Sequence, residues 1–283
     1  MTTLINIVFY LAFALYLAAG ALVLWFLRRG ASQTALNGVN ATLLAAGLLL
    51  GSAFALRWAQ WGAVPMTTLT DTVSLFVVFA TLIVCGLMFV TRYRALLCFF
   101  APAIALLAII NVSLSPWHLH TPPRDLQGLL LFSHVGLAFF AYALFFVASV
   151  ASVAYVFQSI HLKQRRTTGL FQQLPSLEHL DRLLYRLISA GYPLFVITLM
   201  VGLFWAWAQR DLLGPQWWMA PKIVQSLLMA GFYAATFHTR RYGLLRGRKL
   251  AYFVIGGFMA LLGVYLVSGL MELRTINFWE SVS

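Results

Sequence analysis

Long apolar runs, separated by short clusters of arginine and lysine, constrain this chain more than any motif in it. Eight stretches stand out: 4–26, 40–56, 73–90, 96–114, 126–157, a run entered at Pro193 and ending near Trp207, then 223–237 and 250–270. Several match the roughly 20 residues that an α-helix needs to cross a ~30 Å hydrocarbon core. Backbone groups inside a bilayer must be satisfied within the segment, so such runs are helical. With 62% hydrophobic and 9% charged residues and a mean hydropathy of +0.87, the 283 residues carry more apolar surface than one soluble core could bury. The expected fold is all-α: a single polytopic membrane domain over 1–283 with about eight transmembrane helices. In the first run the arginines Arg28 and Arg29 follow rather than precede the apolar stretch, so it is expected to remain as a span rather than act as a cleaved signal.

The net charge of +12 suggests a polyanionic partner, but its distribution points to insertion topology instead. Fourteen of the nineteen basic residues fall in one alternating set of connections, and only Arg57, Arg124, Arg210, Lys222 and Arg274 fall in the other. The richer side is cytoplasmic by the positive-inside rule. Both termini, the loop around His118 and His120, and the loop around Trp217 are therefore expected to face outward, as in a bacterial inner membrane protein. The bilayer is the partner that composition implies, and nucleic acid is not.

Between the fifth and sixth runs, Leu177, Leu180, Leu183, Leu184, Leu187 and Ile188 recur at helical spacing, with Glu178, Asp181, Arg182 and Arg186 between them. That pattern predicts a cytoplasmic amphipathic surface helix. Pro193 is expected to kink the entry to the next span. Four of nine tryptophans (Trp205, Trp207, Trp217 and Trp218) surround the outer loop that follows, with Gly214-Pro215 as its turn.

The chain contains no phosphate-binding glycine loop, no zinc-protease motif and no CxxC, and its two cysteines lie in apolar runs. Its seven acidic residues give little material for acid–base catalysis, and none lies in the middle of a span, where an ion carrier usually places one. Imidazoles carry the remaining chemistry. His134 lies about eight residues into the fifth run, in FSHVGLAFFAYALF; a desolvated imidazole there needs a hydrogen-bond partner or a metal. His238 ends the seventh run beside Arg240 and Arg241, a setting that suits an axial histidine with propionates paired to arginine. His118 and His120 share a face if their loop is extended, and are either simple polar loop residues or ligands. His238 lies some fifteen residues down its run, about 22 Å from the outer surface at 1.5 Å per residue. His134 and His238 therefore cannot both ligate one iron.

Taken in order, several segments resemble the cytochrome c assembly family, the haem-handling group of CcsA, CcmC and short YpjD-like proteins. They are RWAQWGAVPMTTLTDTVSLF, LFSHVGLAFFAYALF, LPSLEHLDRLLYRLISAGYPLFVITLMVGLFWA and FHTRRYGLLRGRKLAYFVIGGFMALLGVYL. The resemblance implies that His134 is the outer haem histidine, that His238 is the one within the membrane, and that Trp205, Trp217, Trp218, Pro221 and Lys222 form the tryptophan motif packed against haem. It departs at WMAPK, where Met219 and Ala220 replace the acidic position, and in the tail TINFWESVS, which lacks a second outer histidine. His118, His120 or Met219 are then the substitute ligands at the outer iron.

The resemblance further implies a transiently held haem b, with its iron the only metal. It implies a partner membrane protein and an apocytochrome c as client. The function expected is haem binding and delivery in c-type cytochrome biogenesis, with the chain at most a component of a haem-attachment system rather than an enzyme by itself. A haem-free structural or assembly subunit on the same fold is the alternative.

Overall fold

The computed structural model describes residues 2–29, 32–62, 65, 69–91, 93–114, 129–164, 170–208, 210–219 and 221–263. His118, His120 and the C-terminal tail lie outside them. The regular secondary structure among the described residues is all helical. The helices are α1 (Thr2–Arg29), α2 (Gln33–Trp61), α3 (Leu69–Thr91), α4 (Leu97–Leu114), α5 (Leu129–Lys163), the short α6 (Leu170–Gln173), α7 (Leu177–Ala208), the short α8 (Arg210–Leu213) and α9 (Pro221–Arg241). A tenth helix, α10, runs over 248–263.

Six of these helices, α1 to α5 and α7, are long and apolar enough to cross a membrane among the described residues. The chain is thus a multi-pass membrane protein. The remaining two expected spans correspond to α9, which closes on His238, Arg240 and Arg241, and to α10. Among the described residues, neither is one of the six helices long and apolar enough to cross.

Polar side chains fix how the first helices meet. On α3, Asp71, Ser74, Thr81 and Cys85 recur at three-, four- and seven-residue spacing along one buried side. Asp71 pairs with Arg57 of α2, with side chains 0% and 1% exposed. Asn111 of α4 donates to the Ser74 hydroxyl at 2.9 Å. Tyr16 of α1 shares a hydrogen bond with Thr81 at 3.0 Å. Where the surroundings are as apolar as the helices, such bonds specify partner and register more than area burial does.

The amphipathic stretch and the sixth apolar run are one uninterrupted helix, α7, with Pro193 inside it. Its apolar stripe of Leu180, Leu183, Leu184, Leu187 and Ile188 is buried, and its most extensive contact is with α5. This differs from the separate surface helix expected from the pattern. Packing along α5 offsets the one backbone hydrogen bond that a mid-helix proline removes. At 32 residues α7 is about 48 Å long, well beyond the hydrocarbon core, so its polar first turns project from it. α9 packs against α7 and meets α5 through the stacked rings of Phe145 and Tyr233, and α10 joins through Phe232–Phe253 and Phe146–Phe258 ring contacts.

Candidate functional site

His134 sits half-buried on α5, facing α7. Its Nδ1 lies 3.0 Å from the backbone carbonyl of Thr198. A carbonyl can only accept, so Nδ1 carries the hydrogen and Nε2 keeps its lone pair. No other hydrogen bond involves His134 among the described residues. The ring lies against Gly202, one turn further along α7. A Cβ added there would come within 2.6 Å of the histidine Cε1 and 3.3 Å of both ring nitrogens. The glycine thus opens the notch through which the imidazole reaches a helical carbonyl. This fixes both ring position and tautomer, as the outer hydrogen bond of a metal-ligating histidine does.

The tryptophans of the motif gather at the C-terminal end of α7. Trp205 lies on α7 three residues beyond Gly202 and is 41% exposed. Trp217, Trp218 and Met219 form a single 3₁₀ turn, which packs against both α7 and α9. Trp218 and Met219 are exposed. This end therefore presents an open aromatic rim, with Trp205 one turn beyond the His134 seat.

His238 lies elsewhere. It is in the last turn of α9, is exposed, and meets the ring of Tyr192 edge-on at 6.4 Å. Tyr192 and Gly202 are ten residues apart on α7, about 15 Å along its axis, so the two histidines mark separate places. His238 makes no side-chain hydrogen bond among the described residues, and nothing there selects its tautomer.

The two arginines beside His238 differ. Arg240 is paired with Asp181 of α7, the side chains 15% and 18% exposed, and lies over the Tyr185 ring at 5.5 Å. The other Asp181 oxygen accepts the Gly247 backbone N–H at 3.2 Å. Gly247 has φ +61°, and a Cβ there would come within 3.0 Å of the Tyr155 hydroxyl. Asp181 thereby ties α7 to the end of α9 and to the turn before α10. Arg241 is exposed and has no acidic partner among the described residues.

Thr198, Gly202 and Asp181 are the neighbours of the candidate residues whose roles sequence reading missed. Asp181 carried a faint signal, being one of only seven acids and set among arginines. Gly202 carried none beyond being a glycine in a span. No group of three His, Cys, Asp or Glu able to hold a bare metal ion occurs among the described residues.

The family model described as Cytochrome C assembly protein matches residues 68–274. The chain is similar to Protein HemX of Brevibacillus brevis, at 28% identity over 80% of this chain and 82% of that protein. It is likewise similar to Cytochrome c biogenesis protein CcsA of Prochlorococcus marinus (strain MIT 9303), at 28% identity over 90% and 87%. Inner membrane protein YpjD of Escherichia coli (strain K12) matches at 24% identity over 68% and 71%.

Proposed function

The chain belongs to the cytochrome c assembly protein family, and from that premise we propose that it is a haem-handling component of c-type cytochrome biogenesis in a bacterial inner membrane. The observation that carries this reading is the His134 seat. Its Nδ1–H is committed to the Thr198 carbonyl, which leaves Nε2 as a ready axial donor to haem iron. Haem bound there would supply the vinyl groups that become attached to an apocytochrome. The protein's own part is to orient it: His134 holds the iron, and Trp205, Trp217 and Trp218 offer aromatic faces at the rim. His118, His120 and Met219 are the candidates for the opposite axial position. The relatives named for cytochrome c biogenesis support the same role.

At the inner end His238 is the proposed second ligand for haem b in transit. Arg241 is the better propionate partner, because Arg240 is committed to Asp181. We place α9 and α10 as the seventh and eighth spans, with both termini outside, on the strength of the charge asymmetry. A partner membrane protein and a reduced apocytochrome c complete the system.

The second reading, a haem-free assembly subunit, draws support from that same Asp181–Arg240 pair, which closes the inner site's nearest cation from within the chain. Absorbance of the detergent-purified protein, oxidised and reduced, separates the two. A Soret band with a reduced α band supports haem handling, and protein purified from haem-replete cells without either band supports the subunit.

A further inference from the structure

At the opposite side of the bundle from His134, where α3 ends and α7 begins, lies a cavity of about 190 Å³ lined by Thr91, Tyr93, His179, Arg182, Leu183 and Arg186. On α7, His179, Arg182 and Arg186 fall at helical spacing on one side. Glu178 approaches Arg182 only at 3.7 Å, with that carboxylate 78% exposed. Arg186 has no acidic partner among the described residues. Ser176 sets the imidazole: its hydroxyl oxygen lies 3.4 Å from the His179 backbone N–H, which it accepts, and 2.7 Å from His179 Nδ1. Either group can donate in that second contact, and in each case it fixes the imidazole beside the cavity. The ring is further held by an edge contact with Tyr93 at 5.7 Å.

The polar wall is therefore rich in donors: two guanidiniums that can only donate, with the His179 imidazole and the Tyr93 hydroxyl able to donate beside them. Such a set matches a ligand with only acceptors, and guanidinium pairs favour tetrahedral phosphate. The cavity lies on the side that carries most of the chain's arginines and lysines. Beside it, at the end of α3, Phe89 and Val90 are 61% and 85% exposed, apolar surface suited to acyl chains. We propose that this cavity binds a phosphate group, from an anionic phospholipid of the cytoplasmic leaflet or from free phosphate. It anchors the projecting first turns of α7 at the membrane surface. The site is independent of haem.

The test uses full-length protein in nanodiscs containing phosphatidylglycerol and phosphatidylcholine, with bound lipid counted by native mass spectrometry. Arg182→Gln/Arg186→Gln removes the cavity's cations at exposed positions that leave the fold intact. Arg28→Gln/Lys249→Gln removes the same charge from the same side, away from the cavity. Preferential retention of phosphatidylglycerol by wild type is expected. It should fall about thirtyfold in the first variant, the combined effect of two interfacial arginines, and persist in the second. Inorganic phosphate that leaves the lipid in place identifies the headgroup as the source, whereas displacement by phosphate identifies a free-anion site. Equal retention by wild type and R182Q/R186Q, or equal loss in both variants, overturns the proposal.

Discussion

The imidazole of His134 fills the space where a side chain at Gly202 would begin: a Cβ on that glycine would stand 2.6 Å from Cε1. Two helices meet at this point with a ring in place of a methyl group. The same approach delivers Nδ1 to the Thr198 carbonyl at 3.0 Å. Glycine in a helix interior costs about 1 kcal/mol relative to alanine, and here that cost secures a fixed tautomer.

Gly202→Ala is therefore expected to improve helix propensity and still damage the site. The ring must leave the carbonyl, and haem retained on purification should fall about tenfold, equivalent to about 1.4 kcal/mol. Thr198→Ala keeps the carbonyl and should retain haem. The pyridine haemochrome assay on both variants checks this; equal haem in wild type and Gly202→Ala would make the notch a packing feature only.

A cytoplasmic reporter separates six spans from eight. Fused after Arg248 it should be active if α9 crosses the membrane, and inactive if the chain stays outside after α7. Fused after Arg166 it should be active, and after Ser283 inactive, in either case. Activity after Ser283 would require an odd number of spans.

The Arg57–Asp71 pair is buried on both sides, and Arg57 also lies over Trp61 at 4.4 Å. Removing one partner leaves a charge without its counterion in the bundle. Asp71→Ala should destabilise by about 3–5 kcal/mol, whereas Arg57→Met/Asp71→Leu should recover much of the loss. Thermal unfolding in detergent, followed by far-UV circular dichroism, reads this. Additive losses in the double variant would show that the two residues act separately.

Asp181 is expected to behave as a tie between helices. Asp181→Asn keeps the shape but loses the ion pair to Arg240, and should lower stability by about 2 kcal/mol. The turn over 242–247 should then become the first site cut in limited proteolysis. A cleavage pattern unchanged from wild type would assign the stability of that turn to other contacts.

Sequence pattern placed the helices because burying long apolar runs is a local property, legible residue by residue. His134 was legible for the same reason: an imidazole in an apolar run demands a partner. What the pattern could not provide was the partner itself. Thr198 and Gly202 matter only through the register of α5 against α7, and Asp71 and Asp181 matter only through what lies across from them. Arg240 looked available beside His238 until the fold set Asp181 against it. The surface helix expected before Pro193 and the span expected after it form one helix, since contact with α5 outweighs one lost hydrogen bond.

The claim that His134 is the iron ligand at the outer site is tested most directly by the optical spectrum of His134→Ala, purified beside wild type and His238→Ala from haem-replete cells. The account predicts that wild type shows a Soret band and a reduced α band. In His134→Ala the outer-site contribution should be lost and partly restored by added imidazole, and in His238→Ala it should persist. A His134→Ala protein with the haem content and spectrum of wild type would contradict the account.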